Sequence, residues 1–424
     1  MTARIRFPHE YVALDPAVRR EIVDGFAADG LSIGAGILYL PPSKDPDVAV
    51  LAMHPRVDFF RHYLVPRLVG GGYAFLGAPT RNLNNDADAL HERLLLDVAG
   101  NVAWLRERGF RRVVLLGNSG GGSLFAFYLA QAGKPPAERL ARAPSGDRVP
   151  LGEVEMPAAD GLVLLAAHLG EGVFLLDRLD PSVIDEASPT AVNPRLDMYD
   201  PRNGYRPMAE GPSRYAPDFL AEFRAAQRAR CERIDRQALG WCEEAAYFRT
   251  KLKGDGARMP PAERALVTRL ALQRRYLLAY RTLADPRYLD PSLEPSPRPL
   301  GSIFSYGRDP IHGNYGEGLG RVMSARGWLS TWSGLQSNAA LERTLPDVRV
   351  PTLVIAALAD TDIYPSECRR ALEASAARDK AYAELAGADH YLRPAGADGA
   401  KLGDPKDRVA DELILPWLGE RWPV

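Results

Sequence analysis

Little in this 424-residue chain points to a charged, cross-linked or metal-bearing protein. Its formal net charge is −1, from 53 Lys and Arg against 54 Asp and Glu, and the basic residues are dispersed, nearly all arginine, usually beside acidic ones. No stripe suits nucleic acid, and no polybasic helix suits an anionic membrane. Cysteine is scarce. Cys231, Cys242 and Cys368 are odd in number and lack C-x-x-C spacing, which argues against a disulfide framework or structural zinc and suits a reducing cytoplasm. Five of the seven histidines, His54, His62, His91, His168 and His312, are scattered without H-x-H or H-x-x-x-H spacing, so no metal site is expected. There is no G-x-x-x-x-G-K-[ST], and Gly70-Gly71-Gly72 precedes a strand, the wrong side for a dinucleotide fingerprint. No run approaches a membrane span, and residues 1–8 lack an apolar signal core. These absences lead to the expectation of a cytoplasmic protein with no cofactor and neither nucleic acid nor membrane as partner.

What the chain does have is Gly117-Asn118-Ser119-Gly120-Gly121, a G-x-S-x-G in a telling context. Residues 112–116 form an aliphatic, β-branched run that suits a buried strand, and residues 122–130 suit a helix packed on it. A sharp turn between strand and helix holds a serine in a strained conformation and leaves no room for side chains two residues to either side. Such a nucleophile needs an acid and then a base later in the chain. Of the seven histidines only His390 follows the last acid-bearing strand, and it sits in a small-residue loop after residues 381–385, a half-buried strand. The acid follows residues 351–357, an apolar strand opened by a proline, in a loop carrying two carboxylates, Asp360 and Asp362. Spacing from the strand favours Asp360, with Asp362 the competitor. Asp389 is too close to His390 in sequence to present its carboxylate to the ring.

These residues and their order resemble an α/β-hydrolase with a serine triad and a large inserted cap, similar to capped serine hydrolases of the esterase, lipase and thioesterase type. The resemblance covers residues from about 30 to 170 and from about 345 to 424. It implies Ser119 as nucleophile, His390 as base and Asp360 as orienting acid. It also implies an oxyanion hole made by the Gly120 amide and one from residues 54–56, where Pro55 has no N–H and Arg56 is the better candidate. Residues 53–58, 80–86 and 328–332 mark a subfamily whose substrate the resemblance does not give.

The remaining pattern fits one domain of this kind. Residues 48–53, 73–78 and 160–167 suit strands, 90–108 an amphipathic helix, and 30–41 an antiparallel edge pair. Alternating strands and helices imply an α/β fold with a mostly parallel central sheet, core segments 1–170 and 345–424, and a helical insert over 171–344. In the insert, Leu220, Phe223, Gln227, Cys231 and Ile234 share one helical face, and Leu266, Leu270, Leu277 and Tyr280 another. The insert's place in the order suits a cap over the site, a stabilising or dimerising appendage being the alternative. Asn118, Asn84, Asn85 and His168 flank strand ends and line the pocket or serve turns and structural hydrogen bonds. Trp328 and Trp332 form a pocket wall or core where the insert rejoins the sheet. The function expected is cleavage of a carboxylic ester, thioester or lactone through an acyl-enzyme. The alternatives are C–C bond or amide hydrolysis by the same triad, or a non-catalytic ligand-binding member of the fold. The expected partner is a small-molecule substrate with an apolar portion, and the oligomeric state stays open.

Overall fold

A computed structural model describes residues 14–42, 45–397 and 399–424. Residues 1–8, read above for a signal core, lie outside them. Eight strands form the central sheet in the order β1-β2-β4-β3-β5-β6-β9-β10. They are β1 (Arg19–Phe26), β2 (Ser32–Leu40), β3 (Val48–Ala52), β4 (Ala74–Gly77), β5 (Arg112–Asn118), β6 (Gly161–Leu165), β9 (Thr352–Ala357) and β10 (Lys380–Leu385). Only the β1–β2 and β2–β4 pairs are antiparallel; every neighbour from β4 to β10 runs parallel.

The inner strands are apolar along their whole length because both faces are covered. In β5, Val113 and Leu115 enter one core cluster while Val114 and Leu116 enter the other, and β6 divides its residues in the same way. The first cluster is completed by α2 (His91–Glu107) and α3 (Gly120–Ala132), the second by α1 (Val65–Gly70) and the C-terminal helices. Period-2 partition onto two buried faces is what a doubly covered parallel sheet requires. α2 buries residues nearly all round because its first turn also meets the insert, where the His91 amide donates to Ser330 Oγ at 2.8 Å and Glu92 accepts from Ser330 and Asn338.

Two sequence expectations are corrected. Residues 30–41 are one strand rather than a pair; the partner is β1, whose Ile22 is 81 % exposed and whose register shifts at Gly25/Phe26. An exposed edge strand with a bulge lacks the alternation that betrays a strand. In the insert, Leu266, Leu270, Leu277 and Tyr280 do not share a helix. There, α4 (Glu171–Leu176) is followed by the long α5 (Pro217–Asp255), then α6 (Pro261–Leu272), which buries Val267 and Ala271 and leaves Leu266 half exposed. Leu277 belongs instead to β7 (Tyr276–Leu278), paired antiparallel with β8 (Val322–Ser324). The buried face of α6 is rotated one residue from the leucine stripe. The face proposed for α5 holds, with Phe223, Gln227, Cys231 and Ile234 all buried.

Candidate active site

Strand β5 ends at Asn118, and the chain reverses at Ser119 with φ 53° and ψ −122° before α3 begins at Gly120. A β-carbon at Gly117 would lie 2.5 Å from the Gly122 α-carbon, and one at Gly121 would run into the Met53 carbonyl, so these positions accept only glycine. Asn118 fastens the turn: its amide donates to the Leu165 carbonyl at 2.9 Å and its carbonyl accepts from the Tyr63 hydroxyl at 3.1 Å. This is a structural hydrogen bond rather than a pocket lining. Ser119, by contrast, is only partly buried.

The loops after β9 and β10 bring the other groups to the serine. Asp360 is fully buried. Its Oδ1 accepts from the amides of Asp362 and Ile363 at 2.8 and 3.1 Å, which leaves Oδ2 for His390 Nδ1 at 2.8 Å. His390 Nε2 then faces Ser119 Oγ at 3.1 Å. With Nδ1–H donated to a carboxylate, Nε2 carries the lone pair that can accept the serine proton. Burial opposes the imidazolium, but Asp360, its hydrogen bond, and the Asp362 and Asp389 charges outweigh it, so the net effect raises the His390 pKa. Asp389 shapes the loop, accepting from the amides of Tyr391 and Arg393 at 2.9 and 2.8 Å and from Arg393 Nε at 2.7 Å.

Asp362 turns the other way. It accepts from the Tyr288 hydroxyl at 2.9 Å, the Ser302 hydroxyl at 2.7 Å and the Ile303 amide at 2.8 Å, all from the insert. Burial and the neighbouring Asp360 raise its pKa against the pull of Arg178. Arg178 itself donates to the Asp362 carbonyl and, at 2.7 Å, to the Tyr288 hydroxyl.

On the opposite side of the serine, the amide of Gly120 is the first of α3 and has no intrahelical acceptor. Arg56 is corrected as the second oxyanion donor: its amide donates to His54 Nδ1 at 3.2 Å. Its guanidinium pairs with Glu171 Oε2 at 3.0 Å and lies 4.9 Å from the Trp332 ring centre, so Trp332 is both buried core and neighbour of this cluster. His168 is buried, accepts from the Gly170 amide at 3.1 Å, and places Nε2 3.7 Å from Glu171 Oε2. Asn84 and Asn85 are exposed turn residues; their amides donate to the carbonyls of Arg56 and Asn82 at 2.8 and 2.9 Å. Glu171 was missed from the sequence. Its Oε1 is buried with no hydrogen-bond partner among the described residues, and burial is overcome by Arg56 and His168, which hold its carboxyl well below the usual range. The signal available was the fourth position of the motif: a glycine at 120 leaves room beside Ser119 for Glu171 and His54, which lie 2.5 and 2.7 Å from where its β-carbon would stand.

No family model and no curated protein matches this chain. Solved structures similar to it include DcsB in complex with its substrate analogue, at 14% identity, TM-score 0.49, over 96% of this chain and 100% of that one. The α/β hydrolase GrgF from Penicillium sp. sh18 gives 13% identity, TM-score 0.48, over 96% and 100%. The esterase domain from Rhodothermus marinus gives 13%, 0.42, 95% and 98%. At such identities and scores the fold rests on this chain's own strand order and on the elbow at the carboxyl end of β5. This is the α/β-hydrolase fold. Within it, Ser119, Asp360 and His390 all leave the carboxyl ends of parallel strands, where open α/β sheets carry their sites. Among the described residues no helix is long and apolar enough to cross a membrane.

Proposed function

We propose that the protein is a serine hydrolase of carboxylic esters, with thioesters and lactones as related substrates, and that Ser119, His390 and Asp360 are its catalytic triad. The observation that carries this reading is the unbroken chain from Asp360 Oδ2 through the imidazole to Ser119 Oγ, at 2.8 and 3.1 Å. Ser119 Oγ adds to the acyl carbon while its proton passes to His390 Nε2, and the carbonyl electron pair moves onto the oxygen. Collapse of this intermediate breaks the bond to the leaving group, which departs with the proton from Nε2 and leaves an ester on Ser119. Water then repeats the sequence and releases the acid. Asp360 fixes the ring and stabilises the imidazolium. The Gly120 amide, at the positive end of α3, supports the oxyanion.

In this reading residues 171–344 are a cap. It is supported by the contacts of Tyr288, Ser302 and Ile303 with the loop after β9, and by Phe174, whose ring lies 5.4 Å from that of His168. A fluorophosphonate probe and a panel of p-nitrophenyl esters, acyl-thioesters and anilides test the reading. Ser119→Ala should abolish both labelling and turnover, a loss of roughly 10⁶-fold, while the circular dichroism spectrum stays unchanged. Turnover retained by the folded variant would end the triad assignment, and the panel identifies the leaving group.

A further inference from the structure

With the Arg56 amide engaged, the oxyanion hole lacks its second donor. Residue 54 directs two hydrogen bonds from the backbone onto its own ring: the amides of Arg56 and Val57 donate to His54 Nδ1 at 3.2 and 3.3 Å. A nitrogen that accepts two N–H groups carries no proton, so the ring's hydrogen sits on Nε2. We propose that the Nε2–H of His54 is the second oxyanion donor, acting beside the Gly120 amide.

This rests on the hydrolase reading above and adds a side-chain donor to it. Three observations place the group. His54 Nε2 lies 2.7 Å from the point that a β-carbon on Gly120 would occupy. That point is about 2.5 Å from the Gly120 nitrogen by covalent geometry, so the two donors are at most about 5 Å apart, within reach of one oxygen held by both. The hydrogen bonds found for this ring among the described residues go to Nδ1, which leaves Nε2 to a ligand. Glycine at 120 is then required, because any side chain there would displace the imidazole.

The ring is also held in its donor state. Burial, first, and the Arg56 charge push the His54 pKa well below its ordinary value, which favours the neutral imidazole. A neutral imidazole donates through Nε2–H to developing negative charge without exchanging its own proton. Glu171 Oε1 stands 2.5 Å from the same Gly120 point, an anion beside a site that must stabilise an anion. The Arg56 guanidinium on Oε2 balances that charge, which gives Arg56 a part in the hole after all, through its side chain.

Two experiments test the assignment. In the unaltered protein, a structure of the Ser119 adduct with an alkylphosphonate should place one phosphonyl oxygen about 3 Å from both Gly120 N and His54 Nε2. An oxygen more than about 4 Å from Nε2 overturns the proposal. His54→Asn supplies the second arm: its side-chain oxygen can still accept the Arg56 and Val57 amides, as asparagine does in turns, while its amide nitrogen falls near the ring's Cδ2 position, short of the point that Nε2 occupies beside Gly120. With the turn preserved, kcat on p-nitrophenyl acetate should fall about 10²- to 10³-fold with little change in KM, and trifluoromethyl ketone inhibition should weaken in parallel. A folded His54→Asn protein with unaltered kcat overturns the proposal and shows a purely structural histidine. Failure of the phosphonate to label Ser119 at all would instead remove the hydrolase reading, and this assignment with it.

Discussion

Asp360 and Asp362 stand two residues apart on one buried loop and serve opposite regions of the molecule. Asp360 faces the sheet side, where two backbone amides hold one oxygen and His390 takes the other. Asp362 faces the insert and gathers Tyr288, Ser302 and Ile303. The two regions are built differently. The sheet side is held by two large apolar clusters that alternate through every inner strand. The insert has smaller clusters and a largely buried ionic lattice that reaches across to the sheet side, in which Arg287 touches Asp285 and Asp177 at 2.7 and 2.8 Å and, outside the insert, Glu367 at 3.1 Å, while Arg224 supports Asp285 at 2.8 Å. Apolar burial is non-directional and tolerant, whereas buried ion pairs tolerate little displacement. The proposed catalytic groups therefore sit on the forgiving part, and the insert is placed by the demanding one.

The contrast breaks most sharply at the two aspartates. Asp360→Asn should lower kcat by about 10⁴-fold with a small change in melting temperature. Asp362→Asn should do the reverse, leaving kcat far less affected and lowering stability by about 2 kcal/mol as buried donors lose their acceptor. Kinetics and thermal melts of both variants decide this, and an inverted ranking would transfer the acid role to Asp362. Next in size, Arg287→Ala should cost about 3 kcal/mol in denaturant unfolding, since it leaves Asp285 and Glu367 buried with fewer counter-charges. A loss near zero would show that the lattice does not hold the insert.

The pH dependence separates the regions again. Because the His390 pKa is raised in the fold, the imidazolium contributes stability that is present below about pH 6.5 and lost as pH rises through the folded value. Activity runs oppositely, as the base must be neutral, so kcat/KM should climb with a midpoint above 6.5. In Asp360→Asn that midpoint should move to lower pH; in Arg287→Ala it should stay. The smallest effect belongs to the insert's apolar surface. Phe304 packs 6.0 Å from Phe174, itself on His168, and Phe304→Ala should shift acyl-chain preference by about tenfold while the rate on an acetate ester stays nearly constant. Equal loss on all chain lengths would mean that Phe304 does not face substrate.

The elbow was legible because spacing alone constrains a strand, a sharp turn and a helix, and so was the order in which Ser119, Asp360 and His390 come together. Between Asp360 and Asp362 spacing gave only a preference, for Asp360, since both lie in one short loop and the difference resides in which donors surround each oxygen. Arg56 misled for a similar reason: an imidazole folding back on the amides two and three residues ahead leaves no pattern in composition or period. Glu171 escaped because it begins a six-residue helix at the mouth of the insert, where the sheet pattern has just lapsed. Strand β1 and residue Leu277 were missed where exposure or a change of element broke periodicity.

The amide of Asp362 is itself a donor to the Asp360 carboxylate. One peptide unit thus joins the grip on the insert to the group that aims the base. A substrate that settles the insert would tighten the aim of the imidazole, and by thermodynamic reciprocity an acyl group on Ser119 would stiffen the insert in return. Under the proposed triad, recognition at the periphery and readiness at the centre would be coupled through this one residue.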